Sequence, residues 1–315
     1  MDPQAPAELC VLSVHAHPDD EASKGAATMA KYHAEGLRTV LVTCTGGEAG
    51  DILNPAADTD DVRADLTAVR RRELDEAVRI IGYDALYLLG YRDSGMAGTE
   101  ANARPDNFAN APLDEAVGKL VAIIRREQPQ VLVTYGDERA FDEHPDHIRV
   151  HEISVVAFDA AGDPDRFPDA GVPWQPSKLY YSGFSFRRIR ALHDAYERIG
   201  EESPYAERIA QMEAAWGSDR PPIAPPTTLV DVSDFLEARR RALIAHRTQI
   251  DPDSHWMRVP DELLRETFPW EEYVLARSLV PGLAIPSADE PEHDLFAGVR
   301  APFDAVADVT TGGRR

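Results

Sequence analysis

The sequence predicts an α/β fold: a doubly wound, mainly parallel sheet with a smaller C-terminal α/β part that walls a pocket. Two observations carry this prediction. Short apolar, β-branched runs alternate with helical stretches through the first half of the chain, and parallel neighbours in one sheet need such crossovers. Two segments rich in histidine and aspartate each follow a predicted strand, the place where ligands bind in open α/β sheets.

The elements follow in order. Residues 9–15 read as a buried strand, and residues 22–35 as a helix closed by Gly36 in the C′ position. Arg38–Thr45 (RTVLVTCT) is the second strand. A loop over 46–60 leads to a long helix over 62–81, whose apolar stripe is Val62, Leu66, Val69, Ala77, Val78 and Ile81 and whose stop is Gly82. Residues 85–89 form the third strand, and a loop rich in Gly, Asn and Pro covers 90–112. Then come a helix over 113–127, a strand over 131–135 and a helix over 145–161. The second half is less regular: strand 178–184, helix 186–199, a linker punctuated by Pro221-Pro222 and Pro225-Pro226, strand 227–232 and helix 235–248. This pattern divides the chain into a catalytic domain over 1–173, a pocket-walling part over 174–298, and an aperiodic tail over 299–315 expected to be frayed.

Composition narrows the function classes. Of 315 residues, 55 are acidic and 33 basic, a net charge of −22 that repels nucleic acid and anionic membrane surfaces. Apolar residues at 43% suffice for a sizeable core. Cys10 and Cys44 sit inside apolar runs, where free cysteine behaves as a small buried hydrophobe, so no disulfide framework is expected. The start, Met1-Asp2-Pro3-Gln4, has no signal-peptide character, and no apolar run reaches membrane-spanning length. A cytoplasmic protein is expected, with homo-oligomerisation left open.

The chemistry lies in His15-Ala16-His17-Pro18-Asp19-Asp20-Glu21 and in His144-Pro145-Asp146-His147. Pro18 stiffens the first turn, and on an opening helical turn His17 and Asp20, three apart, converge on one ion. His147, from the first turn of the second helix, supplies a third ligand. Three N/O ligands with a place left for water are the equipment of metal-assisted hydrolysis. Asp19 then points elsewhere, within reach of a water proton, and Glu21 is placed to orient a ligand. His144, near the N-cap, is a candidate protonated donor to a developing oxyanion, and Asp146 a candidate to orient an imidazole. His15 alternates with His17 along the strand and is read as structural. His151 could complete an HxxxH pair, although a packed histidine is the simpler reading. A non-catalytic sugar- or nucleotide-binding module is the competing class, but no GxGxxG follows the first strand.

The HxHPDDE and HPDH pair resembles the LmbE-like metallo-deacetylases, and the wider sequence resembles the mycothiol S-conjugate amidases over about residues 9–298. The matching segments are HAHPDDEASKGAATMAKY, TGGEAGDILNPA, HPDHIRVHEISVVAF, AAGDPDRFPDAGVPWQPSKLYY, HRTQIDP and the short LFAG near the end. The resemblance implies a Rossmann-like fold and a zinc or ferrous ion on His17, Asp20 and His147. It further implies Asp19 as general base, His144 as transition-state stabiliser, and Lys24, Arg70 and Asp93 as substrate-binding residues. The implied reaction cleaves the amide between an N-acylcysteine S-conjugate and glucosaminyl-inositol, so the expected partner is a small pseudo-disaccharide thiol conjugate. Lys24 within SKGAAT and the long GDPDRFPDAG–PW–PSKLYY stretch point to the amidase, whereas YRDSGMAG around Asp93 is more like the sister N-acetyl-glucosaminyl-inositol deacetylase. A natural-product amidase of the same family is a third reading. Members usually carry a carbonyl-polarising Tyr two residues before HPDH; here Asp142 holds that position, with Phe141 beside it.

Overall fold

In a computed structural model that describes residues 8–137, 144–183, 185–216, 225–283 and 285–300, β1 (Cys10–His15) is buried along its whole length. It lies within one seven-stranded sheet of order β3-β2-β1-β4-β5-β7-β6. The chain passes from β1 through α1 (Asp20–Ser23) and α2 (Ala26–Ala34) to β2 (Arg38–Thr45), then through α3 (Asp60–Ala64) and α4 (Leu66–Ile81) to β3 (Ala85–Tyr91). It returns through α5 (Leu113–Glu127) to β4 (Val131–Tyr135) on the other side of β1, and through α6 (Pro145–Ala161) to β5 (Lys178–Gly183). These five strands are parallel. The direction of strand succession therefore reverses between β1 and β4, and their carboxyl ends open on one crevice.

The second half continues the same sheet. After α7 (Phe186–Ile199) and α8 (Ala206–Trp216) come β6 (Thr228–Asp231), α9 (Leu236–Ala245), α10 (His255–Arg258), α11 (Asp261–Thr267) and β7 (Trp270–Ser278). β7 runs antiparallel between β5 and β6. The core has two layers, as the pleat of β1 dictates. Val11 joins side chains of α2, α4, α7 and α9 on one face, while Cys10, Leu12 and Val14 join those of α5 and α6 on the other. Among the described residues no helix is long and apolar enough to cross a membrane.

Besides the helices α8, α10 and α11, which the sequence pattern does not announce, the structure departs from the expected elements at three places near the site, each for a local reason. The helix expected over 22–35 breaks into α1 and α2 at Gly25, which has φ 105° and packs so that a Cβ would lie 3.1 Å from the Tyr273 hydroxyl. The helix expected over 62–81 breaks at Asp65, which leaves helical φ/ψ and accepts the Ala68 N–H as the cap of α4. β7 was not anticipated, because Glu271 and Glu272 interrupt its apolar pattern. Both carboxylates are buried, and both are satisfied. Glu271 accepts the N–H groups of Ala27 (3.3 Å) and Thr28 (2.8 Å) at the start of α2, and Glu272 accepts Ser185 N–H (2.8 Å) and Oγ–H (2.5 Å) at the start of α7.

Gly25→Ala should destabilise the fold by about 1–3 kcal/mol, because it combines a left-handed backbone with a contact tighter than a Cβ ordinarily makes. A urea midpoint equal to that of the parent would contradict this account of the break.

Candidate active site

The first motif leaves β1 at His15 and turns into α1, while the second caps α6 with His144 and places Pro145 at N1. The switch in strand order brings the two together. Asp20 stands at the centre. Its Oδ2 lies 3.4 Å from His17 Nδ1 and 3.4 Å from His147 Nε2, and it accepts the His17 N–H at 2.9 Å. Its Oδ1 accepts a 2.6 Å bond from Lys24 Nζ. One ligand atom from each of His17, Asp20 and His147 lies within 4.8 Å of the others. Two imidazoles and a carboxylate, all from one side, fit a divalent ion of zinc or ferrous type and leave coordination positions open.

The carboxylates of the site favour positive charge among them. Burial opposes ionisation of Asp20, yet the Lys24 ammonium and His147 hold its pKa well below the usual carboxylate range. His17 is likewise desolvated, but hydrogen bonds to Asp146, Asp20 and Asp93 raise its pKa well above the ordinary imidazole value. Asp146 is fully buried and accepts both the Ser94 N–H at 2.9 Å and the Ser94 hydroxyl. Its Oδ2 lies 3.2 Å from His17 Nε2. These carboxylates favour the doubly protonated ring; a bound cation would take the place of the Nδ1 proton, with Nε2–H still held by Asp146 and the Nδ1 lone pair turned toward Asp20 and His147. A second group, His17 with Asp93 and His144, also comes within 4.8 Å. It draws on the His17 nitrogen that Asp146 already engages.

Asp19 is held separately. Its φ of 115° is rare for a residue with a Cβ, costs about 1–3 kcal/mol, and persists only where its surroundings enforce it. The side chain faces Arg70, whose Nη2 lies 3.1 Å from Asp19 Oδ2. Burial pushes the Asp19 pKa up and outweighs the opposing pull of Arg70. Burial and the neighbouring His17 and His147 lower the pKa of His144, which favours the neutral imidazole over the anticipated protonated one. Its Nδ1 accepts the Asp146 N–H at 3.2 Å, which puts the imidazole hydrogen on Nε2.

The remaining candidates fall into place around this centre. Arg70 and Asp93 are both buried. Arg70 donates to the carbonyls of Gly47 (2.5 Å) and Pro18 (2.6 Å) as well as to Asp19, and Asp93 accepts from Ala49 N (3.2 Å) and Gly95 N (2.8 Å). Lys24 leaves 30% of its side chain exposed. His15 is buried beside Tyr135, its Nδ1 3.0 Å from the hydroxyl, and burial lowers its pKa to about 4. His151 Nδ1 sits 2.9 Å from the Tyr135 carbonyl, a packed position on α6. Glu21, expected to orient a ligand, instead accepts the Asp19 N–H and meets His246. Phe141 and Asp142 lie outside the described residues. Ser94, Tyr135 and His246 escaped the sequence reading. Ser94 and His246 stand inside the quoted YRDSGMAG and HRTQIDP segments, while Tyr135 only ends a strand.

Comparison with known proteins accords with this geometry. Residues 12–158 match the family model described as PIG-L, GlcNAc-PI de-N-acetylase. The chain is 46% identical over 299 residues to the mycothiol S-conjugate amidase of Streptomyces coelicolor, covering 93% of this chain and 98% of that protein. It is 41% identical over 302 residues to the 1D-myo-inositol 2-acetamido-2-deoxy-alpha-D-glucopyranoside deacetylase of Geodermatophilus obscurus, covering 92% and 97%. The chain belongs to the PIG-L/LmbE-like family. Members of this family are metal-dependent hydrolases that act on amide bonds. Among solved structures, the N,N'-diacetylchitobiose deacetylase of Pyrococcus horikoshii superposes with TM-score 0.58 at 20% identity, covering 87% of each chain, which places the LmbE-like fold. A conserved protein of Thermus thermophilus gives TM-score 0.54 at 25% identity, covering 88% of this chain and 98% of that one.

In this LmbE-like chain Asp146→Asn should lower divalent-ion affinity by about 10–100-fold, since it replaces the carboxylate that holds the His17 ring and tautomer by a neutral amide with one acceptor oxygen fewer. Titration with a competing chelator measures it, and an unchanged affinity would contradict the tautomer assignment.

Proposed function

We propose that this protein is a metal-dependent amidase that cleaves the amide between an N-acylcysteine S-conjugate and the glucosamine of glucosaminyl-inositol. The single observation that carries the reaction class is the convergence of His17, Asp20 and His147 beside Asp19 and His144. The full-length likeness to the Streptomyces coelicolor amidase supports the substrate. A divalent ion on the His17–Asp20–His147 trio, zinc or ferrous iron, would supply Lewis-acid polarisation of the amide carbonyl and of a water.

The chain's own groups do the rest. Asp19, its carboxylate steadied by Arg70, takes a proton from the attacking water and returns it to the glucosamine nitrogen as the C–N bond breaks. His144 donates its Nε2–H to the oxygen on which negative charge develops. Lys24 keeps Asp20 ionised and presents its exposed part toward the substrate. Arg70 and Asp93 shape the sugar-facing side, since they fasten Gly47 and Ala49 of the 46–60 loop to the base and to the 93–95 turn. The products would be a mercapturic acid and glucosaminyl-inositol, and the bulk of such a substrate is compatible with an acidic protein surface.

Deacetylation of N-acetyl-glucosaminyl-inositol is the second reading. The YRDSGMAG loop and the 41% identity to the Geodermatophilus obscurus deacetylase favour it.

Metal analysis of protein prepared with and without air, joined to hydrolysis of a panel of fluorescent S-conjugates and of the N-acetyl substrate, tests the proposal. S-conjugates should be turned over with the higher kcat/KM, and preference for the N-acetyl compound would transfer the assignment to the deacetylase. Asp19→Asn should retain the metal and lose about 10²–10⁴-fold in kcat, as expected for removal of a general base.

A further inference from the structure

Glu21 and His246 form a contact that neither metal holding nor proton transfer uses. Both side chains are fully buried, and Glu21 Oε1 lies 2.5 Å from His246 Nε2 across 225 positions of sequence. The other oxygen, Oε2, accepts the backbone N–H of Asp19 at 3.0 Å. That N–H belongs to the residue with φ 115° and ψ −28°. Burying a carboxylate against an imidazole is costly unless the pair is well bonded, so its presence here asks for a purpose.

The surroundings give one. His246 caps the C-terminus of α9, and its own segment is tied down on both sides. Thr248 gives its N–H (3.0 Å) and hydroxyl (2.7 Å) to the two oxygens of Glu73 in α4, and its carbonyl accepts Leu53 N–H at 2.8 Å. Arg70, three residues before Glu73 on the same helix, reaches the Asp19 carboxylate. Asp19 is therefore gripped twice from one scaffold, through its side chain by Arg70 and through its backbone by Glu21.

We infer that His246, acting through Glu21, is a positioning residue that holds Asp19 in its left-handed backbone conformation and so aims its carboxylate. This rests on the reading of Asp19 as the proton acceptor. A displaced base costs rate without altering the groups that bind metal or substrate, since the ligands His17, Asp20 and His147 keep their own contacts. Because the contact runs through Nε2, Gln at position 246 can place its amide nitrogen where Nε2 stands, whereas Asn reaches only the place of Nδ1.

The test compares His246→Gln with His246→Asn, two polar changes of similar cost to the fold, in the metal-loaded full chain. His246→Gln should stay within a few-fold of the parent, and His246→Asn should lose about 10²-fold in kcat with KM and bound metal unchanged, as expected for a misplaced catalytic group. Exchange of the Asp19 amide hydrogen, followed in the peptide spanning residues 17–21, should be faster in His246→Asn by about 10-fold or more, because its acceptor is released. Glu21→Gln, which can still accept that N–H, should follow His246→Gln. Equal kcat in the Asn and Gln variants, or an unaltered exchange rate, would overturn the inference. Asp19→Asn serves as the control for the reading beneath it: full activity there would remove the base itself, whereas its inactivity beside an active His246→Asn would remove only the positioning role.

Discussion

One buried carboxylate organises the site. Asp20 faces two imidazoles with one oxygen and an ammonium with the other, at 3.4, 3.4 and 2.6 Å. Without Lys24 a desolvated carboxylate in this position would be driven toward its neutral form and lose its attraction for a cation. Lys24 reaches it as the i, i+4 neighbour on the turn of α1 and lies over the Tyr135 ring at 5.5 Å. The break at Gly25 separates this one-turn segment, which carries the motif, from α2, which serves packing.

Asp19 and Asp20 are adjacent in sequence and opposite in environment. Asp20 is surrounded by positive or proton-donating groups, and its pKa falls; Asp19 is raised chiefly by burial, and Arg70 only partly offsets that. Two neighbouring carboxylates with pKa values pushed apart can divide the work, one remaining an anion and the other exchanging a proton. An ordinary helical start would point residues 19 and 20 about 100° apart around one axis. The positive φ at Asp19 does more, turning the chain so that one carboxylate addresses the ion site and the other addresses Arg70.

Much of this was legible in the sequence, and the limits have physical causes. Strands β1 to β4 stood out because each is a short apolar run between helices, and the parallel order then brought His17 and His147 together without knowledge of any distance. The breaks at Gly25 and Asp65 were hidden because apolar periodicity runs through them, and a cap in the middle of a periodic stretch is recognised only from its backbone angles. β7 was hidden for a different reason: two glutamates in a strand read as solvent-facing until their partners at the starts of α2 and α7 are known. The same holds for Arg70. Its place on the buried face of α4 could be counted from the period, but not that its guanidinium turns to Gly47, Pro18 and Asp19.

The second half of the chain contributes more than a wall. β7 sends Glu271 to the start of α2, the α9 terminus sends His246 to Glu21, and Thr248 fastens α4 through Glu73. These three contacts bind the residues that follow β1 to elements more than 170 positions away in the chain. A turn such as Pro18–Asp20 explores many conformations on its own, and its strained member is the least stable of them. The short N-terminal motif supplies the functional groups, and only the completed sheet supplies the rigidity that makes them a site. A chain cut after β5 would keep every proposed ligand and lose the contacts that hold Glu21, and with it Asp19, in register.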